Sequence, residues 1–397
     1  MKIKVRPEDF IVRERVTLTF SPEGPYRIYV LEKRFWNTTD ALRLIAEKNR
    51  VPLSEIGYGG RKDRYGLTFQ HISVPRIYEL NLEEPNVKLT FLGYSGDFVS
   101  PEVLEGNDFE LTLRDIDPSQ EGYLERRLEE ISRWGFPNYF DDQRFGSVEC
   151  PDEFFAERLI KNHYKGALKL YFTAIFPGYK KAEKERRRKM EECFGNWDEV
   201  ERLSRTSTER MIARILKEGG SKRNLVRAIN AIPKEELSMF FAAYQSYLWN
   251  KTLERILPRY ARDLIGVRGK IMTYYFYRRL GEKEFSYLSG LKIPVVAQHL
   301  EPAPPEVRNV IEEVLEERGI RPNQFNLRDI RKVYFKSFLR RAIVVPGEFR
   351  RGPFKDDELY PGKRKLELGF FLPAGSFATM LVKSLALFAR AEGGEDS

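Results

Sequence analysis

Cysteine is nearly absent. Cys150 and Cys193 are alone in 397 residues and form no CxxC pair, which excludes a disulfide framework and fits a reducing compartment, so a soluble cytosolic protein is expected. The three histidines, His71, His163 and His299, are far apart and at no ligand spacing from the cysteines. That argues against a His/Cys metal centre and leaves only carboxylate sites open. There is no run of 18 apolar residues, and Met1-Lys2-Ile3-Lys4 alternates like a strand instead of opening a leader. The chain also lacks a GxxxxGK[ST] phosphate loop, a GxGxxG turn and a GxSxG elbow, so nucleotide-driven motors, dinucleotide enzymes and common serine hydrolases are disfavoured. Any chemistry must run on carboxylates, cations, aromatics and amides.

Apolar residues make up 42% of the chain and charged ones 32%, enough hydrophobic surface for two or three folded domains. Lys and Arg number 68 against 59 Asp and Glu, a net charge of +9. Residues 321–365 hold thirteen Lys/Arg and five Asp/Glu, and Lys180 to Lys189 hold seven Lys/Arg and two Glu. Dense cations bind phosphates by releasing counterions, and interleaved aromatics can stack on bases. The stretch Arg331-Lys332-Val333-Tyr334-Phe335-Lys336-Ser337-Phe338-Leu339-Arg340-Arg341 has both. Its plainer reading is a solvated helix face with Tyr334, Phe338 and Leu339 turned into the core. Only six Gln among so many Glu, Lys and Arg fits a heat-adapted host.

The first part of the chain reads as α+β with mainly antiparallel pairing. Strands are expected at Val16 to Phe20, Tyr26 to Leu31, Leu67 to Val74, Val87 to Leu92 and Phe109 to Leu113. The parity shift within 67–74 predicts a bulge or burial on both faces. Thr38 or Thr39 is expected to cap a helix carrying Leu42, Ile45 and Ala46 on one face, and a second helix runs from about Gln120 to Trp134. From Pro151 to Pro258 the pattern is mostly helical, with Phe240, Tyr244, Tyr247 and Leu248 forming a core stripe of no catalytic role. Residues 266–300 look like strand and turn. Pro305 to Arg318 reads as a helix, Lys365 to Leu372 as a strand, and Ser376 to Ala391 as a final helix before a disordered tail.

Three constellations could carry chemistry. Gly57-Tyr58-Gly59-Gly60-Arg61-Lys62-Asp63-Arg64 delivers one carboxylate among three cations just before a strand with Thr68 and Gln70. Neighbouring positive charge favours the ionised form that a nucleophile or base needs, although a salt-bridged turn would look the same. Gly135-Phe136-Pro137-Asn138-Tyr139-Phe140-Asp141-Asp142-Gln143-Arg144-Phe145-Gly146 supplies stacking faces and polar edge readers for an extruded base, or a loop that packs its aromatics inward. Leu372-Pro373-Ala374-Gly375-Ser376-Phe377-Ala378-Thr379 opens a helix whose first amides could face an anion or a sugar hydroxyl.

Taken together with Pro7-Glu8-Asp9-Phe10 and Asn37-Thr38, these motifs resemble, in order and across residues 4 to 382, the TruD family of tRNA pseudouridine synthases. The resemblance implies an α+β pseudouridine synthase catalytic domain with a mainly antiparallel sheet, built from residues 1–160 and 341–397. A mixed, largely helical insertion (TRUD) domain, 161–340, would form the other wall of a cationic RNA cleft. It implies Asp63 as the catalytic aspartate and Phe140 as the ring that stacks on the target uracil. Phe10, Asn138 and Phe377 fall at substrate-pocket positions, and Lys4 is the basic residue beside the carboxylate. Arg61, Lys62, Arg64, Arg144, Arg331, Lys332, Lys336 and Arg340 are the cations expected to meet RNA. The reaction needs no metal and no cofactor. The expected partner is tRNA, at uridine 13 of the D-arm in this family, with no membrane, no obligate protein partner and a monomer as the default. One departure stands out: the family commonly has Gly after AsnTyrPhe, where this chain has Asp141. An RNA-binding protein without chemistry and a metal-dependent, aspartate-using nuclease are the competing classes.

Overall fold

The computed structural model describes residues 1–146, 148, 153–176 and 178–385. Cys150, the continuation of the last helix to Ala391 and the acidic tail lie outside the described residues. The chain divides into two compact units, one of 1–135 with 344–397 and one of 136–343. These divisions fall at 135/136 and 343/344, whereas the sequence reading places them at 160/161 and 340/341. Residues 136–160 join the second unit for a physical reason. The Phe140 N–H donates to Asn250 Oδ1 at 2.8 Å, and the Phe154 ring packs 5.1 and 4.8 Å from those of Tyr244 and Tyr247.

The first unit is a ten-stranded sheet. Its main strands are β1 (Phe10–Val16), β2 (Tyr26–Lys33), β3 (Leu67–Pro75), β4 (Val87–Ser95), β5 (Leu104–Ile116), β6 (Gly347–Arg351) and β7 (Arg364–Pro373). They run in the order β6-β7-β5-β1-β3-β2-β4. Every neighbouring pair is antiparallel except β1 and β3, which are parallel with Ile11 opposite Leu67. The exception arises because β3 inserts between β1 and β2 and runs antiparallel to β2. The β-branched stretch 17–20 is not the strand; β1 ends at Val16, where its register with β5 shifts. β3 keeps register and is buried on both faces, which accounts for its parity shift without a bulge.

Helix Thr38–Asn49 lays Ala41, Leu42, Ile45 and Ala46 on Tyr29, Leu31, Ile72 and Val74 of the sheet. Each fully buried Leu or Ile of this kind contributes about 1.5–3 kcal/mol. Helix Glu121–Trp134 buries Leu124, Leu128 and Ile131, and its Arg127 donates to the Ser384 carbonyl of helix Ala378–Leu385 at 2.9 Å.

The second unit is largely helical around Lys234–Ile256, where Tyr244, Tyr247 and Leu248 of the expected stripe are buried; Phe240 is only partly buried, and its neighbour Phe241 is buried instead. Two short antiparallel pairs accompany it, Ile265–Arg268 with Thr273–Phe276 and Lys292–Pro294 with Leu339–Arg341. Helix Glu282–Gly290 interrupts the stretch read as strand and turn, and Pro305–Glu317 is helical as expected.

Candidate active site

Three strand ends define the surroundings of Asp63. The parallel register of β1 with β3 places Phe10 beside Gly66, and the antiparallel register of β2 with β3 places Lys33 opposite Thr68. Backbones approach closely here: a Cβ at Gly66 would lie 2.6 Å from the Phe10 carbonyl oxygen. Only glycine fits that position, so the loop carrying Asp63 is pressed onto the start of β1. Thr38 does not cap its helix, whose N-cap is Asn37. Its hydroxyl instead donates to Gln70 Oε1 at 2.9 Å and accepts from the Lys62 N–H at 3.0 Å, tying the loop to helix and strand together.

Asp63 is one-sixth exposed. Its Oδ2 accepts from Lys4 Nζ, and its Oδ1 accepts from the Tyr65 N–H at 2.9 Å. Lys4 takes a left-handed backbone, φ +59°, and its ammonium lies 4.1 Å from the centroid of the Phe10 ring. A non-glycine residue held there stores conformational energy that the surrounding contacts must offset. The outcome is a carboxylate bonded by one ammonium and one amide, with an aromatic ring beneath that ammonium.

Under this site lie charges the motif search did not single out. Lys33 is fully buried; its ammonium donates to the carbonyls of Asp63 at 2.8 Å, Trp36 at 3.0 Å and Lys62 at 3.4 Å. Burial pushes its pKa down to about 8, Asp63 pulling the other way. Glu14, on the buried face of β1 with Phe10 and Val12, forms an ion pair with Lys62 Nζ at 2.7 Å, and its Oε2 accepts from the His71 N–H at 2.8 Å. Burial would raise its pKa, yet His71 and Lys62 together hold it below the ordinary glutamate range. Lys62 also donates to Asn107 Oδ1 at 2.6 Å. Asn107 pairs with Leu372 at the end of β7, just before the half-buried Phe377.

The expectation that Lys62 meets RNA is therefore corrected: its ammonium is spent on Glu14 and Asn107, and its side chain is 7% exposed. Arg61 and Arg64 are exposed, Arg64 bonding the Phe35 carbonyl at 3.1 Å.

The Asn138–Phe140 segment forms a second cluster, within the other unit. Arg340 is buried, not RNA-facing as expected. Its guanidinium donates to the Asn138 carbonyl and Oδ1 (2.9 Å) and to the Tyr139 carbonyl (3.2 Å), and lies 4.0 Å from the Phe140 centroid. Burial, and after it the Arg144 charge, drives its pKa well down. Phe140 is 4% exposed, edge-on to Trp249, with Arg144 5.4 Å from its centroid. It offers no open face in this structure, contrary to the stacking platform expected. Asn250, which sequence reasoning passed over, clamps Phe140 from both sides, accepting from its N–H and donating to its carbonyl at 2.9 Å. Asp141 has an extended backbone, φ −79° and ψ 164°, so replacing the family's glycine carries no conformational strain.

The remaining cations sort by burial. In helix Lys181–Glu192, Arg186 is buried against Glu183 and Glu209 and Arg187 bonds the Tyr171 carbonyl at 2.7 Å, so these two face inward, while Lys181, Arg188, Lys189 and the preceding Lys180 are exposed. Arg331, Lys332 and Lys336 are exposed. Among the described residues no group of three or more His, Cys, Asp or Glu is placed to hold a metal ion, and no helix is long and apolar enough to cross a membrane.

Comparison with known proteins gives one answer throughout. The family model for tRNA pseudouridine synthase D (TruD) matches residues 1–275 and 276–385. A Methanocaldococcus jannaschii protein named "Probable tRNA pseudouridine synthase D 2" is 33% identical, covering 96% of this chain and 91% of that one. The tRNA pseudouridine synthase D of Aquifex aeolicus is 30% identical over 97% of this chain and 98% of its own. A solved structure of a Methanosarcina mazei chain assigned to TruD superposes with a TM-score of 0.70 at 26% identity, over 97% of this chain and 93% of that one. With a mainly antiparallel sheet unit interrupted by a largely helical one, and the family's motifs in order on both, the chain belongs to the TruD family of tRNA pseudouridine synthases.

Proposed function

We propose that this protein isomerises uridine 13 of tRNA to pseudouridine, with Asp63 as its catalytic group and without a metal or cofactor. The observation that carries the reading is the Asp63 carboxylate, held between the Lys4 ammonium and the Tyr65 amide where three strand ends meet. In the reaction the N1–C1′ bond breaks, the uracil turns, and a C5–C1′ bond forms while C5 loses a proton and N1 gains one. Asp63 acts at the sugar C1′ and then serves the loss of the C5 proton. Lys4, bonded to the same carboxylate, holds it in place through both steps. The Asn138–Phe140 segment is the second element of this reading. Asn250 fixes the backbone around Phe140, so a flipped base that stacks there does so in exchange for the Arg340 guanidinium now over that ring.

The test uses an unmodified tRNA transcript labelled with tritium at uracil C5, incubated in EDTA. Release of tritium to water reports the C5 step, and carbodiimide-dependent stops in reverse transcription locate the product. Asp63→Asn is expected to lower turnover by at least about a thousandfold while tRNA affinity stays within about threefold. Comparable turnover in that variant would remove Asp63 from the chemistry. Bound but unchanged RNA with the native protein would favour a binding protein, and magnesium-dependent cleavage a nuclease.

A further inference from the structure

A groove in the second unit, lined by none of the residues assigned above to the chemistry, has the composition of a polyanion site. Helices Ser207–Lys217 and Lys222–Ala231 and the segment 328–332 enclose a cavity of about 870 Å³. Lys222, Arg223, Arg227, Arg328, Arg331 and Lys332 line it, all exposed, against the single acid Asp329. Lys222 pairs with Asp329 at 3.0 Å, and Arg227 pairs with Glu218 outside the lining. Arg223, Arg328 and Arg331 have no hydrogen-bonded carboxylate among the described residues. Three guanidinium groups are thus left facing water in one concavity, with the half-exposed Met211 beside them.

The chain leaves this groove as a strip of irregular backbone that becomes a strand at Leu339, not as the helix considered from its sequence. Val333 and Phe335 turn inward, 7% exposed each, while Tyr334 is 79% and Phe338 46% exposed, with Lys336 exposed between them. The strip is pinned from beneath. The Phe335 ring stacks on Phe241 with centroids 4.4 Å apart, and Gln245 Nε2 donates to the Lys336 carbonyl at 3.1 Å. Outward aromatics alternating with a lysine on a fixed backbone suit a chain whose flat bases and charged phosphates alternate. Fixing the backbone in advance lowers the ordering cost of binding.

We propose that the groove and the strip from Arg331 to Phe338 form one RNA-docking surface, in which Arg223, Arg328 and Arg331 take backbone phosphates and Tyr334 stacks on an unpaired base. The proposal rests on tRNA being the substrate and names where a part of it other than the reacting uridine is held. Charge complementarity selects a polyanion, and the exposed aromatics select nucleic acid over an acidic peptide.

The experiment compares the full-length native protein with Tyr334→Ala, Tyr334→Phe and the double variant Arg223→Ala/Arg331→Ala. It measures the Kd for unmodified tRNA across salt concentrations and tritium release from C5 at saturating tRNA. All these side chains are exposed, so thermal unfolding should be unchanged. Tyr334→Ala is expected to weaken binding roughly tenfold, with Tyr334→Phe close to native because the ring still stacks. The double variant is expected to reduce the slope of log Kd against log salt by roughly 1.4 to 1.8, two phosphate contacts' worth. Tritium release by the native protein at saturating tRNA reports the activity separately from these binding changes. Unchanged Kd and salt slope in a native protein that releases tritium would overturn the docking surface and leave the activity intact. Binding that follows the expected pattern without tritium release would keep the surface and overturn the activity. Tighter binding of poly-glutamate than of tRNA, insensitive to Tyr334→Ala, would mean an acidic protein partner and overturn the proposal.

Discussion

Lys33 has no exposed surface, and its ammonium is bonded to three backbone carbonyls, that of Asp63 among them. Replacing it with Met separates a charge effect from a positioning effect. The folded pKa near 8 lies below the ordinary 10.5, so the unfolded chain binds more protons between those values. Stability from this group therefore rises with pH across that window, and below pH 8 the buried charge carries its full penalty. A gap of about 2.5 units corresponds to about 3 kcal/mol, of which about 2 kcal/mol is recovered between pH 7.5 and pH 10. Lys33→Met removes the penalty but strips donors from the carbonyls of Trp36 and Asp63, at about 1–3 kcal/mol each. At pH 7 about 3 kcal/mol of relief opposes about 2–6 kcal/mol from the two stranded carbonyls, so the sign of a single stability measurement decides nothing and the pH dependence decides it. Urea unfolding of native and variant protein, in steps from pH 7.5 to 10, should show the native protein gaining about 2 kcal/mol on the variant. Parallel curves would refute a buried, charge-penalised lysine. Turnover should also fall, by about 10- to 100-fold with KM little changed, because the backbone of Asp63 has lost its tether.

Gly66→Ala puts a Cβ 2.6 Å from the Phe10 carbonyl oxygen and should destabilise the first unit by about 1–3 kcal/mol, read as a lowered Tm; an unchanged Tm would mean that the loop yields freely. Glu14 has a folded pKa below its ordinary value, so its contribution to stability is present above about pH 4.5 and lost as pH falls through the folded value; Glu14→Gln should flatten the acid limb of an unfolding-versus-pH curve. Arg340→Lys lacks the planar fork that reaches the Asn138 and Tyr139 carbonyls together, so it should lower the Tm while leaving the salt dependence of tRNA binding untouched. A changed salt slope in that variant would return Arg340 to the RNA face.

Much of the fold was legible where periodicity and punctuation agreed. β2, β3, β4, β5 and β7, helices Thr38–Asn49, Glu121–Trp134 and Pro305–Glu317, and the buried stripe of Lys234–Ile256 all lie where the sequence placed them, within a few residues. The misses have tertiary causes. Val16 to Phe20 has the stronger strand propensity, but β5 pairs with Phe10–Val16 instead. Thr38 has the chemistry of a cap, yet its hydroxyl serves Gln70 and Lys62, partners 32 and 24 residues away in the chain. Asp63 and Lys4 were legible as a pair only through the family resemblance, because 59 residues separate them and no local pattern links a left-handed lysine to a distant turn.

Part of the inward-facing charge was legible from the period of the strands. Charge was read as a density, whereas its role depends on the face it occupies. In β2, Tyr29, Leu31 and Lys33 share one parity; in β1, Phe10, Val12 and Glu14 do. A charged residue in step with an apolar face is inward-facing by the period of the strand alone. Such a residue must find partners inside, and both of these find them under the Asp63 loop. The same rule applied to 331–338 reverses the plainer reading of that stretch. Tyr334 and Phe338, four apart, suggest the buried face of a helix. In an extended segment they share a parity with Lys336, opposite to Val333 and Phe335, and it is this second pair that is buried. The period of the segment thus fixes Lys33 inward and Lys336 outward. It does not place Lys62, which lies in a loop and turns to Glu14, nor Arg331 and Arg340, whose parities run opposite to their burial: Arg340 is drawn in by the Asn138 and Tyr139 carbonyls.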